Sequence, residues 1–488
     1  MKNATLQKII ITFILSFLCV SAFQIRLHNF RSSSLRTIDE IVFVKMAKQV
    51  AHDVRDYHTI PYGKTLAATG RELPEYFFAP LYKHPPVFTF MAALSMKLFG
   101  EKGKSAGYVS IFLSVLMMPL LYWLGALLFD RQVGLLAAIL LWFDPVVTMT
   151  SQKVWIDTSI AFFTLLAAVL FVYALKNKND WFFIFSGIAS GLAVNTKYPG
   201  ILITFGMVLY TLFYRRDLFR KGKFFLGLLM PFLMLIPWFM WNIQVYGISA
   251  LKGHYELTFA IRLFTDKLWL ILPVAAILFA VYLFLKRKSI IGHRPPTAAG
   301  STIEPGTSKE KTDELDPGQA KIVLGSYIAV ILFILIFIGD SVLKSLHFYY
   351  IPVTSWSQGF FANEIPSFYF KRLLEYFFIY IFAYLALFTY HPKEQEQTAF
   401  IRISTIVILF FFIAWRNFQC RYILATIPFL ILLAANTIKQ VYSAICSMET
   451  ILPRLILRSA FILLIMYSIL KVNIINYMLS YTNNMCYF

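Results

Sequence analysis

The residues of this chain best suited to chemistry are charged side chains set at the ends of long apolar runs. Asp39 and Glu40 follow the first such run, in Arg36-Thr37-Ile38-Asp39-Glu40-Ile41. Carboxylates at a membrane surface can act as bases, pair with cations or bind a metal. A second element, Tyr82-Lys83-His84-Pro85-Pro86, precedes a short apolar run. Consecutive prolines cannot continue a helix and fix the backbone, so they would hold Lys83 and His84 at a set angle to the membrane. For the prolines alone, a turn before an interfacial helix is the simpler account. Asp157 lies in Trp155-Ile156-Asp157-Thr158, where two runs meet. An Asp before an apolar helix can also cap it by accepting hydrogen bonds from free backbone amides. Capping and chemistry both stay open there.

Cationic and aromatic candidates sit at other run ends. Lys197 ends a run in Asn195-Thr196-Lys197-Tyr198-Pro199-Gly200, where a lysine can simply snorkel to headgroups. Arg416 and Arg421 flank the turn Arg416-Asn417-Phe418-Gln419-Cys420-Arg421-Tyr422. Basic residues in short outer loops run against the positive-inside bias, which suggests an anionic partner, most simply a lipid phosphate, beside Arg421 and Tyr422. His347-Phe348-Tyr349-Tyr350 and Glu364 are weaker candidates, since a lone loop histidine is usually just solvated.

The elements that must position these residues are membrane helices. Of 488 residues, 59% are hydrophobic and 14% charged, a balance no soluble domain of this length needs. A bilayer core of about 30 Å takes roughly 20 apolar residues as a helix. Runs of that kind fall near 9–25, 107–128, 133–150, 158–175, 181–198, 201–214, 224–244, 269–285, 322–339, 373–390, 400–415, 422–438 and 455–470. These predict about thirteen spans, of which 201–214 and 400–415 are short. The net charge of +20 could suggest nucleic acid, but its placement points elsewhere. Lys176 and Lys178, the cluster from Arg215 to Lys223, and Lys286-Arg287-Lys288 fall in short loops that thirteen alternating spans put on the cytoplasmic side with the N-terminus. The basic excess is then an orientation signal and a contact for anionic lipids, with no nucleic-acid partner expected. The four cysteines show no metal-ligand or redox spacing. Val20-Ser21-Ala22 loosely resembles a signal-peptide cleavage site, but losing the first run would spoil the odd span count.

This reading predicts an all-α polytopic membrane protein in three parts. Residues 1–285 form an N-terminal transmembrane section with a long outward first loop, 26–106. Residues 286–321, with Pro295-Pro296 and alternating charges, read as a flexible cytoplasmic linker, and 322–488 form a C-terminal transmembrane section. Other outward segments fall near 151–157, 245–268, 340–372 and 416–421. Within the first loop, Ile41, Val44, Ala47, Val50, Ala51 and Val54 recur at helical spacing from Glu40 to Tyr57, predicting an amphipathic helix on the membrane surface. Val87 to Phe99 is too short to span and reads as interfacial or re-entrant. No internal repeat of the inverted-transporter kind is visible. Asp144, in Phe143-Asp144-Pro145, is the main ionisable residue inside a run, and its proline suggests a helix break.

Taken in order, the Asp39-Glu40 pair, His84-Pro85-Pro86, Asp157, Gly191-Leu192-Ala193 leading to Lys197, and Arg421-Tyr422 with Pro428 resemble the GT-C glycosyltransferases. The nearest branch is the dolichyl-phosphate-mannose protein mannosyltransferase-like group, which includes the bacterial lipid A aminoarabinose transferases. The resemblance runs from about residue 9 to residue 440. Where the aminoarabinose transferases tend to carry Lys-Pro-Pro, this chain has His84-Pro85-Pro86, which leaves the sugar open. The resemblance implies a GT-C-type bundle in a bacterial inner (plasma) membrane, its site facing the periplasm or cell exterior. It implies transfer from a polyprenyl-phosphate sugar donor to a lipid, glycan or protein acceptor. Asp39 is then the first choice of base, with Glu40 beside it and Asp157 second, and Lys83, His84, Lys197, Arg421 and Tyr422 hold the donor phosphate. A divalent metal near the carboxylates is compatible with this chemistry and not required by it. A transporter or flippase of a lipid-linked solute is the rival reading, and should show ionisable residues near the bilayer midplane. A cell-envelope assembly or polymerase protein shares the outward chemistry.

Overall fold

The computed structural model describes residues 2–33, 37–247 apart from 71 and 74, 368–389, 396–415 and 419–482, with isolated positions at 326, 328, 330–332 and 342. The linker expected at 286–321, the run at 269–285 and most of that at 322–339 lie outside the described residues. Among the described residues all regular structure is helical. Seven helices there are long and apolar enough to cross a membrane, which makes this a multi-pass membrane protein. Among the described residues, the runs expected at 133–150, 181–198 and 201–214 contain the shorter apolar helices Arg131–Phe143, Trp181–Val194 and Tyr198–Tyr214, and Val87–Phe99 is short, as expected.

The first helix, α1 (Lys2–Ser32), continues past its expected end near Ile25. Its last turns go into the interior, where Arg26 and Phe30 are 1% exposed and Arg26 donates to Ser114 Oγ at 2.8 Å. Its earlier turns leave Leu6, Ile9, Phe13 and Phe17 exposed. An apolar face of that extent needs lipid, not water, against it. After α2 (Ile38–His52) and α3 (Ile60–Ala67), α4 (Val87–Phe99) leads to the bundle helices α5 (Tyr108–Leu128) and α6 (Arg131–Phe143). The run expected at 133–150 is broken: α6 stops before Asp144, whose Oδ1 accepts from Val147 N at 2.9 Å and caps α7 (Pro145–Thr150).

Next come α8 (Asp157–Asn177), α9 (Trp181–Val194), α10 (Leu202–Tyr214) and α11 (Gly222–Tyr246). A Cβ at Gly187 of α9 would fall on the Gly227 carbonyl, and one at Gly227 on that of Phe183. Two glycines therefore set the separation at which α9 and α11 cross. The run expected at 373–390 is two helices, α12 (Phe368–Tyr376) and α13 (Tyr380–Phe388), with a bend between them that hydropathy cannot register. The chain closes with α14 (Glu396–Trp415), α15 (Ile427–Cys446) and α16 (Ile451–Thr482). Among the described residues, α8 and α15 are the most buried spans, and α1, α11 and α16 are the least buried and leave many apolar side chains exposed.

A second, smaller core lies beneath the first loop. Phe43 of α2 meets Tyr82 and Phe88 edge-on at ring separations of 5.8 and 5.2 Å. Tyr57 meets Trp238 of α11 at 5.8 Å, and its hydroxyl donates to His84 O at 2.9 Å. The amphipathic character expected from residue 40 onward is present in α2, but its buried face is Val42, Phe43, Met46, Ala47, Val50 and Ala51, and Val54 is exposed. That face packs on Phe88, Ala92 and Met96 of α4, so protein takes the place expected for a membrane surface. Each side chain such as Phe43 contributes about 1.5–3 kcal/mol by leaving water, enough to fix the loop on the bundle.

Candidate functional site

The start of α2 is built around Thr37. Its hydroxyl accepts from Glu40 N at 3.2 Å, while Glu40 Oε2 accepts from Thr37 N at 3.1 Å, a reciprocal capping box. Glu40 is 1% exposed, and Lys153 Nζ lies 3.6 Å from Oε2. A carboxylate so deep needs such a partner, because an unpaired buried charge costs several kcal/mol. Glu40 is thus engaged in holding the helix start.

Asp39, the preceding residue of the same turn, is half-buried and turned the other way, with its side chain 44% exposed. Its Oδ2 lies 2.8 Å from Arg421 Nη2. Burial works to raise the Asp39 pKa, but the Arg421 guanidinium, helped by Lys83 and Lys197, outweighs it and holds the carboxyl below its ordinary value. Arg421 is fixed in turn. It belongs to the 3-10 segment Cys420–Thr426, its Nε donates to Gln419 Oε1 at 2.7 Å, and its guanidinium lies 4.4 Å from the Trp155 ring centroid and 5.3 Å from that of Tyr422.

Asp157 does not cap α8 with its side chain. The helix starts at Asp157 itself, Ile156 holds the cap position, and no side-chain cap bond is present. The carboxylate, 3% exposed, accepts instead from Lys197 Nζ at 3.2 Å. In the first turn it also faces the positive end of the helix dipole. Lys197 precedes the 3-10 turn Tyr198–Ile201 and lies 4.4 Å from the centroid of Tyr422, which stacks on Phe412 at 6.1 Å. Gly200 keeps that turn against α9, since a Cβ there would strike the Ala193 backbone.

The turn holding Lys83 and His84 is pinned at both ends. Tyr82 N donates to Tyr57 O at 2.9 Å, and Val87 N donates to Asn195 O at 3.1 Å, just before Lys197. His84 is buried with its ring edge-on to Tyr82 at 5.4 Å, and Lys83 is half-buried and acts on Asp39 through its charge.

Asp39, Glu40, Asp157, Lys83, Lys197, Arg421 and Tyr422 therefore converge from five stretches of chain. Lys153 and Trp155 join them and were not singled out from the sequence. Lys153 carried a signal, because it is a cation in a short turn of the kind that drew attention to Arg421. Trp155 carried none, because a tryptophan at a helix end is common in membrane proteins. Arg416, His347 and Glu364 lie outside the described residues. Among the described residues no three His, Cys, Asp or Glu side chains come together as a metal-ligand set.

Residues 83–241 match the family model described as dolichyl-phosphate-mannose-protein mannosyltransferase. An uncharacterized protein of Aquifex aeolicus (strain VF5) is 27% identical over 180 residues, 35% of this chain and 36% of that protein, so the match spans about a third of the relative. Among solved structures, ArnT from Cupriavidus metallidurans bound to undecaprenyl phosphate has a TM-score of 0.55 at 13% identity, covering 97% of this chain and 76% of that one. The archaeal oligosaccharyltransferase AglB from Archaeoglobus fulgidus, in complex with an inhibitory peptide and a dolichol-phosphate, has a TM-score of 0.51 at 14% identity, covering 97% and 56%. The resemblance to GT-C glycosyltransferases is thus met twice, by a family model in the first half of the chain and by fold over nearly all of it.

Proposed function

We propose that this chain is an integral-membrane glycosyltransferase that moves a sugar from a polyprenyl-phosphate donor to an acceptor on the outer face of a bacterial plasma membrane. The observation that carries this reading is the grouping of three ion pairs, Asp39–Arg421, Glu40–Lys153 and Asp157–Lys197, in one cluster at a membrane helix end. The family match over residues 83–241 and the likeness to a fold solved with undecaprenyl phosphate in ArnT and dolichol-phosphate in AglB support it.

In the proposed step an acceptor hydroxyl oxygen bonds to the anomeric carbon of the sugar. The bond from that carbon to the phosphate oxygen breaks, its electron pair stays on the phosphate, and Asp39 takes the hydroxyl proton. Lys83, Lys153, Lys197 and Arg421 exceed Asp39, Glu40 and Asp157 by one positive charge, which suits a phosphodiester donor. The phosphate gains a second negative charge on leaving while Asp39 loses its own, so the cluster stays balanced throughout. Paired with Arg421, Asp39 is a weak base. A donor phosphate competes for that guanidinium, which binds phosphate with two parallel hydrogen bonds, and so returns Asp39 to the acceptor.

The transporter reading would use the buried ionisable residues Arg26 and Asp144. Asp144, however, caps α7 and accepts from Tyr380 Oη at 2.6 Å, a structural use of the carboxylate. Proteoliposomes given donors with radiolabelled sugar separate the two readings. Transfer gives label on a new molecule, whereas transport gives label that crosses the bilayer still joined to its polyprenyl phosphate.

A further inference from the structure

One indole links Arg421 to the cap of α2, two residues before Asp39. The Trp155 Nε1–H donates to Thr37 Oγ1 at 3.1 Å, and the ring lies 4.4 Å from the Arg421 guanidinium. The side chain is 2% exposed, so water does not compete for either contact. A threonine hydroxyl has one proton to give and two lone pairs. Here it gives its proton to Glu40 Oε2 at 3.0 Å and accepts from Glu40 N at 3.2 Å and from Trp155. With its capacity filled, the hydroxyl cannot rotate away. The start of α2 is thereby tied to the turn before α8, and Asp39 sits two residues beyond that tie.

We infer that Trp155 is a positioning residue for sugar transfer. It holds the cap of α2 with its edge and the Arg421 guanidinium against its face, and so sets Asp39 and Arg421 relative to each other. This rests on the reading of Asp39 as base and Arg421 as phosphate ligand. Of the charged groups acting on Asp39, namely Arg421, Lys83 and Lys197, Arg421 is the strongest and is the one that lies on the indole. Asp157 faces Lys197, and Lys153 faces Glu40, so neither replaces it.

Two measurements on the full chain in detergent test the inference. The first needs no substrate: thermal midpoints of Trp155→Phe, Thr37→Val and the double variant. Removing the donor or the acceptor of one bond predicts a double variant barely less stable than the weaker single, and Thr37→Ser, which keeps the hydroxyl, should match the parent. Additive losses overturn the tie. The second is the pH profile of transfer. Trp155→Phe is expected to lower kcat on the order of 10- to 100-fold with donor KM near that of the parent, the effect of a base misplaced by about 1 Å. Trp155→Leu also removes the surface under Arg421, so the acid limb of kcat/KM moves to higher pH. An acid limb unmoved in Trp155→Leu, with kcat within threefold in Trp155→Phe, refutes the positioning role. A parent chain that transfers no sugar while the midpoints stay coupled rejects Asp39 as base and leaves the Trp155–Thr37 tie established.

Discussion

The carboxylate of Asp39 and the guanidinium of Arg421 lie 2.8 Å apart, one just after the first membrane helix and the other at the head of a late one. The ion pair joins segments nearly four hundred residues apart in sequence, and under the proposed function an incoming donor phosphate competes with Asp39 for Arg421.

That competition gives the Arg421 prediction. Arg421→Ala is expected to weaken binding of a polyprenyl-phosphate donor, and Arg421→Lys to recover only part, because an ammonium cannot reproduce the two parallel hydrogen bonds of a guanidinium. Affinity measured in nanodiscs decides it. Donor held as tightly by Arg421→Ala as by the parent would make the arginine an anchor for headgroups in general.

The pH prediction follows from the same pair. Asp39 must be ionised to accept a proton, and its pKa is depressed in the fold. Activity should therefore persist to lower pH than an ordinary carboxylate allows, and Arg421→Gln should move the acid limb of kcat/KM upward. The stability contributed by Asp39 has the same sign: it is present above the unfolded pKa and is lost as pH falls through the folded one. An acid limb that moves down in Arg421→Gln would contradict the electrostatic account.

Glu40 and Asp39 should separate by kind of defect. A glutamine at position 40 can keep the capping box but leaves Lys153 facing a neutral group. Breaking such a buried pair costs up to about 3–5 kcal/mol. Glu40→Gln is thus expected to lower the thermal midpoint more than it lowers turnover per folded molecule. The reverse pattern would give Glu40 a direct chemical role.

The crossing of α9 and α11 should tolerate no side chain at Gly187. Overpacking there predicts a loss of about 1–3 kcal/mol or more for Gly187→Leu, read as a lower midpoint and less monodisperse protein in detergent. Parent-like stability would show that the two helices can separate freely.

The class of this protein was legible because hydropathy reports burial in lipid directly, and the charged candidates stood out because charged side chains at the ends of apolar runs are few. Asp39, Asp157, Lys197 and Arg421 meet as their common side suggested. Their pairing was not legible, since nothing in local spacing says that Lys197 takes Asp157 while Arg421 takes Asp39. The cap left open for Asp157 is absent because the helix begins one residue earlier than an N-cap there would need. The break at Asp144 was legible from Pro145, whereas the one between α12 and α13 escaped hydropathy because apolar residues continue through it. Lys153 was passed over, although it shares its signal with Arg421, and Trp155 acts through a tie to Thr37 that only tertiary structure reveals.

The orientation expected from the charge clusters is open to direct test. In a background without Cys19, Cys420, Cys446 and Cys486, Thr69→Cys should react with an impermeant thiol reagent on intact cells and Arg220→Cys should not. Labelling at 220 and not at 69 would turn the cluster to the cytoplasmic side and reject transfer on the outer face.

Whether Asp39 takes the acceptor proton is tested most directly by Asp39→Asn, with donor binding and turnover measured on one preparation. Asparagine keeps the shape and removes the base. Donor affinity should remain at or above that of the parent, since Arg421 is released from its pair, while turnover falls by about 10²–10⁴-fold. Turnover near that of the parent, with the donor bound, would contradict the account.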